Sequence, residues 1–126
     1  MEVNELLRVV TLRKGKLKPV EFKLREGEKG LSLFAYRDPP GPAEVIEAVR
    51  AMGKQGNLAT AVISAHEFRA LGLTLVQTPG GTPFAAVNTI HYEARLPFLR
   101  RLFLRLRGVR GHDDFNEHLS PKLADN

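Results

Sequence analysis

Hydrophobic and polar positions alternate through the first third of the chain. Leu6 to Leu12 is rich in Leu and Val and runs into the basic turn Arg13-Lys14-Gly15-Lys16, which predicts a first strand and a hairpin. Val20, Phe22 and Leu24 then alternate with Glu21, Lys23 and Arg25, the pattern of a half-buried strand. Leu31 to Tyr36 predicts a third, with Leu31, Leu33 and Ala35 on one face and Ser32, Phe34 and Tyr36 on the other. The prolines of Asp38-Pro39-Pro40-Gly41-Pro42 remove donors and fix their own backbone angles, so regular structure stops there and Pro42 suits a first helical position.

The spacing then changes. Val45, Ile46, Val49 and Met52 recur every three or four residues opposite Glu44, Glu47 and Arg50, predicting a helix that Gly53 ends. Leu58 to Ile63 reads as a short strand buried on both faces. Ser64-Ala65-His66-Glu67 is a capping box and predicts a helix through about Leu71, with Gly72 as its stop. Leu73 to Val76 reads as a strand ended by Pro79-Gly80-Gly81, and Phe84, Ala86, Ile90 and Tyr92 mark one face of a longer strand. The expected fold is a single small α+β domain over residues 1–110, with a mixed or antiparallel sheet and two to three helices, followed by a polar tail over 111–126.

The segment Arg95 to Arg110 carries two periods at once. As a helix from Pro97, it gathers Phe98, Leu99, Leu102, Phe103, Leu106 and Val109 into an arc of about 140°, leaving Leu104 among the arginines. As a strand, it sets Leu102, Leu104 and Leu106 against Arg101, Phe103, Arg105 and Arg107. Helix propensity, Pro97 at the start and Gly108 at the end favour the helix.

Charge makes this segment a candidate site. The chain has 19 basic and 14 acidic residues, a net charge of +5, and Arg95, Arg100, Arg101, Arg105, Arg107 and Arg110 fall in a stretch without one carboxylate. Without those six, the other 13 basic and 14 acidic residues leave a net charge of −1, so the basicity is local. Guanidinium groups side by side suit phosphate or carboxylate oxygens, since each planar fork donates two parallel hydrogen bonds. With 43% hydrophobic residues and no cysteine, the composition is that of a globular domain without disulfides or thiolate chemistry. The amino terminus does not read as a secretory signal and no apolar run reaches the length of a membrane span, so a cytoplasmic location is expected.

Other candidates are more dispersed. His112, Asp113, Asp114, Glu117 and His118 are residue types that hold divalent metals, but they crowd into one terminal stretch and read as a polar tail, so no metal or other cofactor is expected. His91 shares a strand face with Glu93, a possible acid-base pair or simply a polar sheet face, and His66 belongs on the solvent side of its helix. Ser32 lacks the glycine spacing of a nucleophile elbow, and Gly80-Gly81 has no following helix to form a phosphate loop.

Two resemblances follow. The order Phe22, Glu28, Gly30-Leu31-Ser32, Leu71-Gly72-Leu73, Pro79 and a late strand bearing His91 resembles a set of small uncharacterised bacterial proteins with no assigned activity. Arg8 in the first strand, Leu31-Ser32 in a later one and Glu93 near the end resemble the layout of ADP-ribosyltransferases, without their serine-threonine-serine pattern. That resemblance implies that Arg8 holds a dinucleotide and Glu93 directs attack on its ribose, with Arg8, Ser32 and Glu93 converging in a cleft. The reading drawn from the charge is a non-enzymatic module that contacts an anionic partner, nucleic acid or acidic protein, through the arginine face. The alternatives are a small enzyme, ADP-ribosyltransferase-like or metal-dependent, and a structural subunit of a homo-oligomer.

Overall fold

The computed structural model describes residues 3–25 and 28–124. Five strands, β1 (Glu5–Thr11), β2 (Leu31–Ala35), β3 (Leu58–Ser64), β4 (Thr74–Gln77) and β5 (His91–Arg95), form one antiparallel sheet in the order β3-β1-β2-β5-β4. The helices are α1 (Pro42–Ala51), α2 (Ala65–Ala70), α3 (Ala85–Asn88), α4 (Phe98–Leu106), α5 (Gly111–Asp114) and α6 (Ser120–Ala124), so the α+β class holds with more helices than the sequence predicts. β1 and β2 are buried on both faces. Leu6, Val10, Leu31 and Leu33 face the larger core, with Phe22, Phe68 and Phe115, while Leu7, Val9 and Phe34 face a smaller one under α1 and α3.

Several local signals act as the sequence predicts. Pro42 opens α1 and Ser64 caps α2, its Oγ accepting the Glu67 amide at 3.1 Å. Gly72 carries the left-handed φ of 81° that its helix stop needs. Gly30 is required by proximity, because a Cβ there would lie 2.6 Å from Arg95 Cγ and 2.8 Å from the Ala94 carbonyl oxygen.

Four segments depart from expectation, each for a tertiary reason. Pro19–Phe22 is a 3-10 turn rather than a strand, and its neighbours bond to the carboxyl-terminal helices: the Asn116 side chain accepts from the Leu24 amide at 2.6 Å and donates to its carbonyl at 3.0 Å. Leu58–Ser64 is an edge strand, only half-buried, with β1 occupying the two-sided position instead. The long strand expected from Phe84 is divided by α3, because Asn88 bonds back to Thr82, accepting its amide at 2.8 Å and donating to its carbonyl at 2.8 Å. The stretch after Arg110, expected as a polar tail, is helical: α5 continues through a π turn, Phe115–Leu119, into α6. It inserts Phe115, Leu119 and Leu123 into the larger core of the same domain.

Candidate active site

The sheet is split. β1 pairs with β3 over seven residues, but its register with β2 covers only Leu6↔Ala35 and Leu7↔Phe34. Backbone polar groups freed by such a split need other partners, and charged side chains supply them. Arg8 donates through Nη1 to the Ser32 carbonyl at 2.9 Å and through Nε to the Glu21 carbonyl at 3.0 Å. Glu21 Oε1 accepts the Thr11 amide at 2.7 Å, and Lys54 Nζ donates to the Val9 carbonyl at 3.0 Å while standing 3.7 Å from Glu21.

A cleft of about 270 Å³ opens over the split, lined among others by Arg8, Arg25, Glu28, Ser32, Lys54 and His91. A second depression of about 600 Å³ adjoins it, sharing Arg8, Arg25, Val49, Met52 and Lys54 and adding Arg13 and Lys23. The cations are incompletely compensated. Burial pushes the Arg8 guanidinium below its ordinary range against the opposing pull of Glu28 and Glu21. Burial and then repulsion from Arg8 push the Lys54 amine down, opposed by Glu21.

A serine and a histidine meet on the cleft wall. Ser32 Oγ lies 2.5 Å from His91 Nε2, and the other ring nitrogen lies 2.8 Å from both the carbonyl and the hydroxyl oxygen of Thr78. A carbonyl only accepts, so we assign the proton to Nδ1, which leaves the Nε2 lone pair to accept the Ser32 hydroxyl proton. The edge of Phe34 further fixes the imidazole, at 5.2 Å between centroids and 68° between planes. Gly80 and Gly81 also line the cleft, with φ of 115° and 97° and open space where a side chain would begin.

The sequence candidates are thereby sorted. Arg8 and Ser32 meet in the cleft, and Ser32 is the register partner of Glu93. The Glu93 carboxylate, however, accepts from Arg95 at 2.6 and 2.8 Å, while His91 occupies the cleft wall. His91 therefore pairs with Ser32 and Thr78 rather than with Glu93. Glu28, Ser32 and His91, three members of the Phe22-to-His91 pattern, line one cleft, and the Thr78 oxygens precede its Pro79.

None of the six tract arginines lines either cleft. Arg95 pairs with Glu93, Arg100 with Asp114 at 2.9 Å and Arg110 with Asp113 at 3.1 Å, while Arg107 stacks over Phe103 at 4.3 Å. Arg101 and Arg105 are exposed. Asp114 turns to Arg100 and Asp113 to Arg110 and His112, so among the described residues no group of three or more acids and histidines is placed to hold a metal. Comparison with family models, curated proteins and solved structures gives no match.

The Lys54 shift has a measurable sign. A base whose native pKa is depressed binds fewer protons folded than unfolded, so between the native value and the ordinary 10.5 its contribution to stability rises with pH. A Cε-resolved NMR titration is expected to show Lys54 losing its proton before the exposed lysines do. A Lys54 midpoint level with theirs contradicts the burial argument.

Proposed function

We propose that the cleft is the active site of a small enzyme acting on a phosphate-bearing dinucleotide, a glycosyl transfer of the ADP-ribosyltransferase kind. The observation that carries the reading is the meeting of three cations, Arg8, Arg25 and Lys54, with a Ser32–His91 pair whose imidazole is oriented to accept a proton. Holding an extended anion would call for the cations alone. It would leave the fixed imidazole without a purpose.

In this reading the diphosphate lies against Arg8, Arg25 and Lys54, and the lowered pKa values of Arg8 and Lys54 mark cations that gain from a bound anion. The ribose lies toward Ser32. A water or acceptor hydroxyl attacks ribose C1′, the bond from C1′ to the nicotinamide nitrogen breaks, and its electron pair leaves with neutral nicotinamide. The nucleophile's proton passes to His91 Nε2, directly or through Ser32 Oγ, and then to solvent. The resemblance gives the directing role to Glu93; the Arg95 contacts turn that carboxylate aside, and His91 takes the role instead.

Calorimetry with NAD, ADP-ribose and adenosine tests the binding, and chromatography of released nicotinamide tests the chemistry. NAD and ADP-ribose are expected to bind and adenosine, lacking phosphate, to fail. Arg25→Ala is expected to weaken binding about tenfold or more, the worth of a hydrogen bond to a charged group. Equal affinity for adenosine, or intact binding without nicotinamide release, rejects the reading.

A further inference from the structure

The arginine helix is mounted with its apolar side outward. At 100° per residue, Arg100 and Leu104 lie on one side of α4, and these two make its inward contacts: Arg100 with Asp114, Leu104 with the larger core. Leu104, the residue that does not fit the apolar arc, is the one that packs. The arc itself faces away from the protein, with Phe98 67%, Leu99 75%, Phe103 53% and Leu106 80% exposed. No residue of α4 is buried. Such a contiguous apolar surface on a folded chain marks a contact with something else.

Charge selects what covers it. Arg101 and Arg105 border the arc on one side and Arg107 on the other. Among the described residues no carboxylate pairs with any of the three. A phosphate backbone laid on this face would meet Leu102 and Leu106 at its centre, with the cations only at the margins. A second copy docked face to face would bring two such arginine sets together without an acid between them. An anionic bilayer matches both parts: side chains of Phe and Leu enter the acyl boundary, while flanking guanidinium groups reach lipid phosphates on their flexible stems.

We infer that α4 is an interfacial helix that seats the protein on an anionic membrane surface, with Phe98, Leu99, Leu102 and Leu106 inserted and Arg101, Arg105 and Arg107 at the headgroups. This does not depend on the chemistry of the cleft.

The test is flotation of the full chain with vesicles of phosphatidylcholine alone and of phosphatidylcholine with 30% phosphatidylglycerol, at low and at raised salt. Binding is expected to the anionic vesicles only and to weaken as salt screens the headgroups. Replacing Arg101, Arg105 and Arg107 together by Ala is expected to reduce it about a hundredfold, from roughly tenfold or less per arginine at a charged surface. L99E/L106E is expected to abolish it; both side chains are exposed, so the thermal midpoint should hold. The chain has no tryptophan, so Leu102→Trp gives a background-free reporter whose emission is expected to shift to the blue on anionic vesicles. Equal flotation with both vesicle types, none with either, or a dimer that L99E/L106E disperses in a chain that ignores vesicles, overturns the inference.

Discussion

A chain ending at Arg110 is expected to lose cooperative folding. The removed segment supplies Phe115, Leu119 and Leu123, exposed by 0%, 3% and 0%, to a core otherwise built on β1, β2 and α2. Truncating one such side chain to Ala typically costs about 2–5 kcal/mol, and three together are of the order of the about 5–15 kcal/mol by which a domain is stable. The segment also satisfies buried polar groups: Ser120 Oγ donates to the Phe22 carbonyl at 2.7 Å, and Asn116 bonds the Leu24 backbone twice. Without it those groups lose their partners at about 1–3 kcal/mol each. Thermal melts followed by circular dichroism decide the matter. The truncated chain should show a shallow, non-sigmoidal loss of signal, whereas Phe115→Ala alone should keep a transition lowered by about 3–5 kcal/mol. Glu117→Ala, on the exposed side of the π turn, should leave the midpoint within about 0.5 kcal/mol of the original. A sharp transition in the truncated chain, close to that of the full one, would show that the core closes without α5 and α6.

That segment also shows where sequence reading fails. Phe115, Leu119 and Leu123 recur every four residues, a helical spacing in plain view, but Asp113, Asp114, Glu117 and His118 surround them and the mean hydropathy stays polar. A narrow stripe suffices when it enters a preformed groove, and the groove belongs to distant residues. Strands β1 and β2, helix α1 and the Ser64 cap were legible because each depends on its own neighbours in sequence: a period, a proline, a serine three residues before an amide. Val20 to Leu24 has a strand's alternation and yet turns, since Ser120 and Asn116, more than 90 residues away, bond the backbone of Phe22 and Leu24. For α4 the composition fixed the helix but not its orientation, because Leu104 alone among its leucines faces the protein.

The candidate site was legible as residue types and illegible as a constellation. Arg8, Ser32, His91 and Glu93 each stood out, and the shared strand face of His91 and Glu93 suggested a pair that the structure replaces with His91–Ser32. What no local pattern supplies is the register between strands 59 residues apart, and it is the register of β2 with β5 that sets Ser32 against His91. The split between β1 and β2 is equally invisible. Arg8 in an apolar strand is its one trace, a charge that a continuous ladder would have no cause to bury.

Replacing His91 with Gln is expected to lower nicotinamide release by about 10²–10⁴-fold, the usual worth of a positioned general base, or about 3–5 kcal/mol of barrier. Ser32→Ala separates two roles. If Ser32 relays the proton, its loss costs nearly as much as that of His91, and the double variant is scarcely slower than either single one, because members of one relay act as a unit. If Ser32 only orients the ring, the Thr78 carbonyl still holds Nδ1–H in place, and the serine variant should retain most of the rate. Both substitutions are expected to spare binding, since the anion contacts come from Arg8, Arg25 and Lys54; the loss should appear in kcat, with KM little changed. A glutamine variant that keeps the native rate would remove His91 from the reaction, and with it the role drawn from the Ser32 and Thr78 contacts.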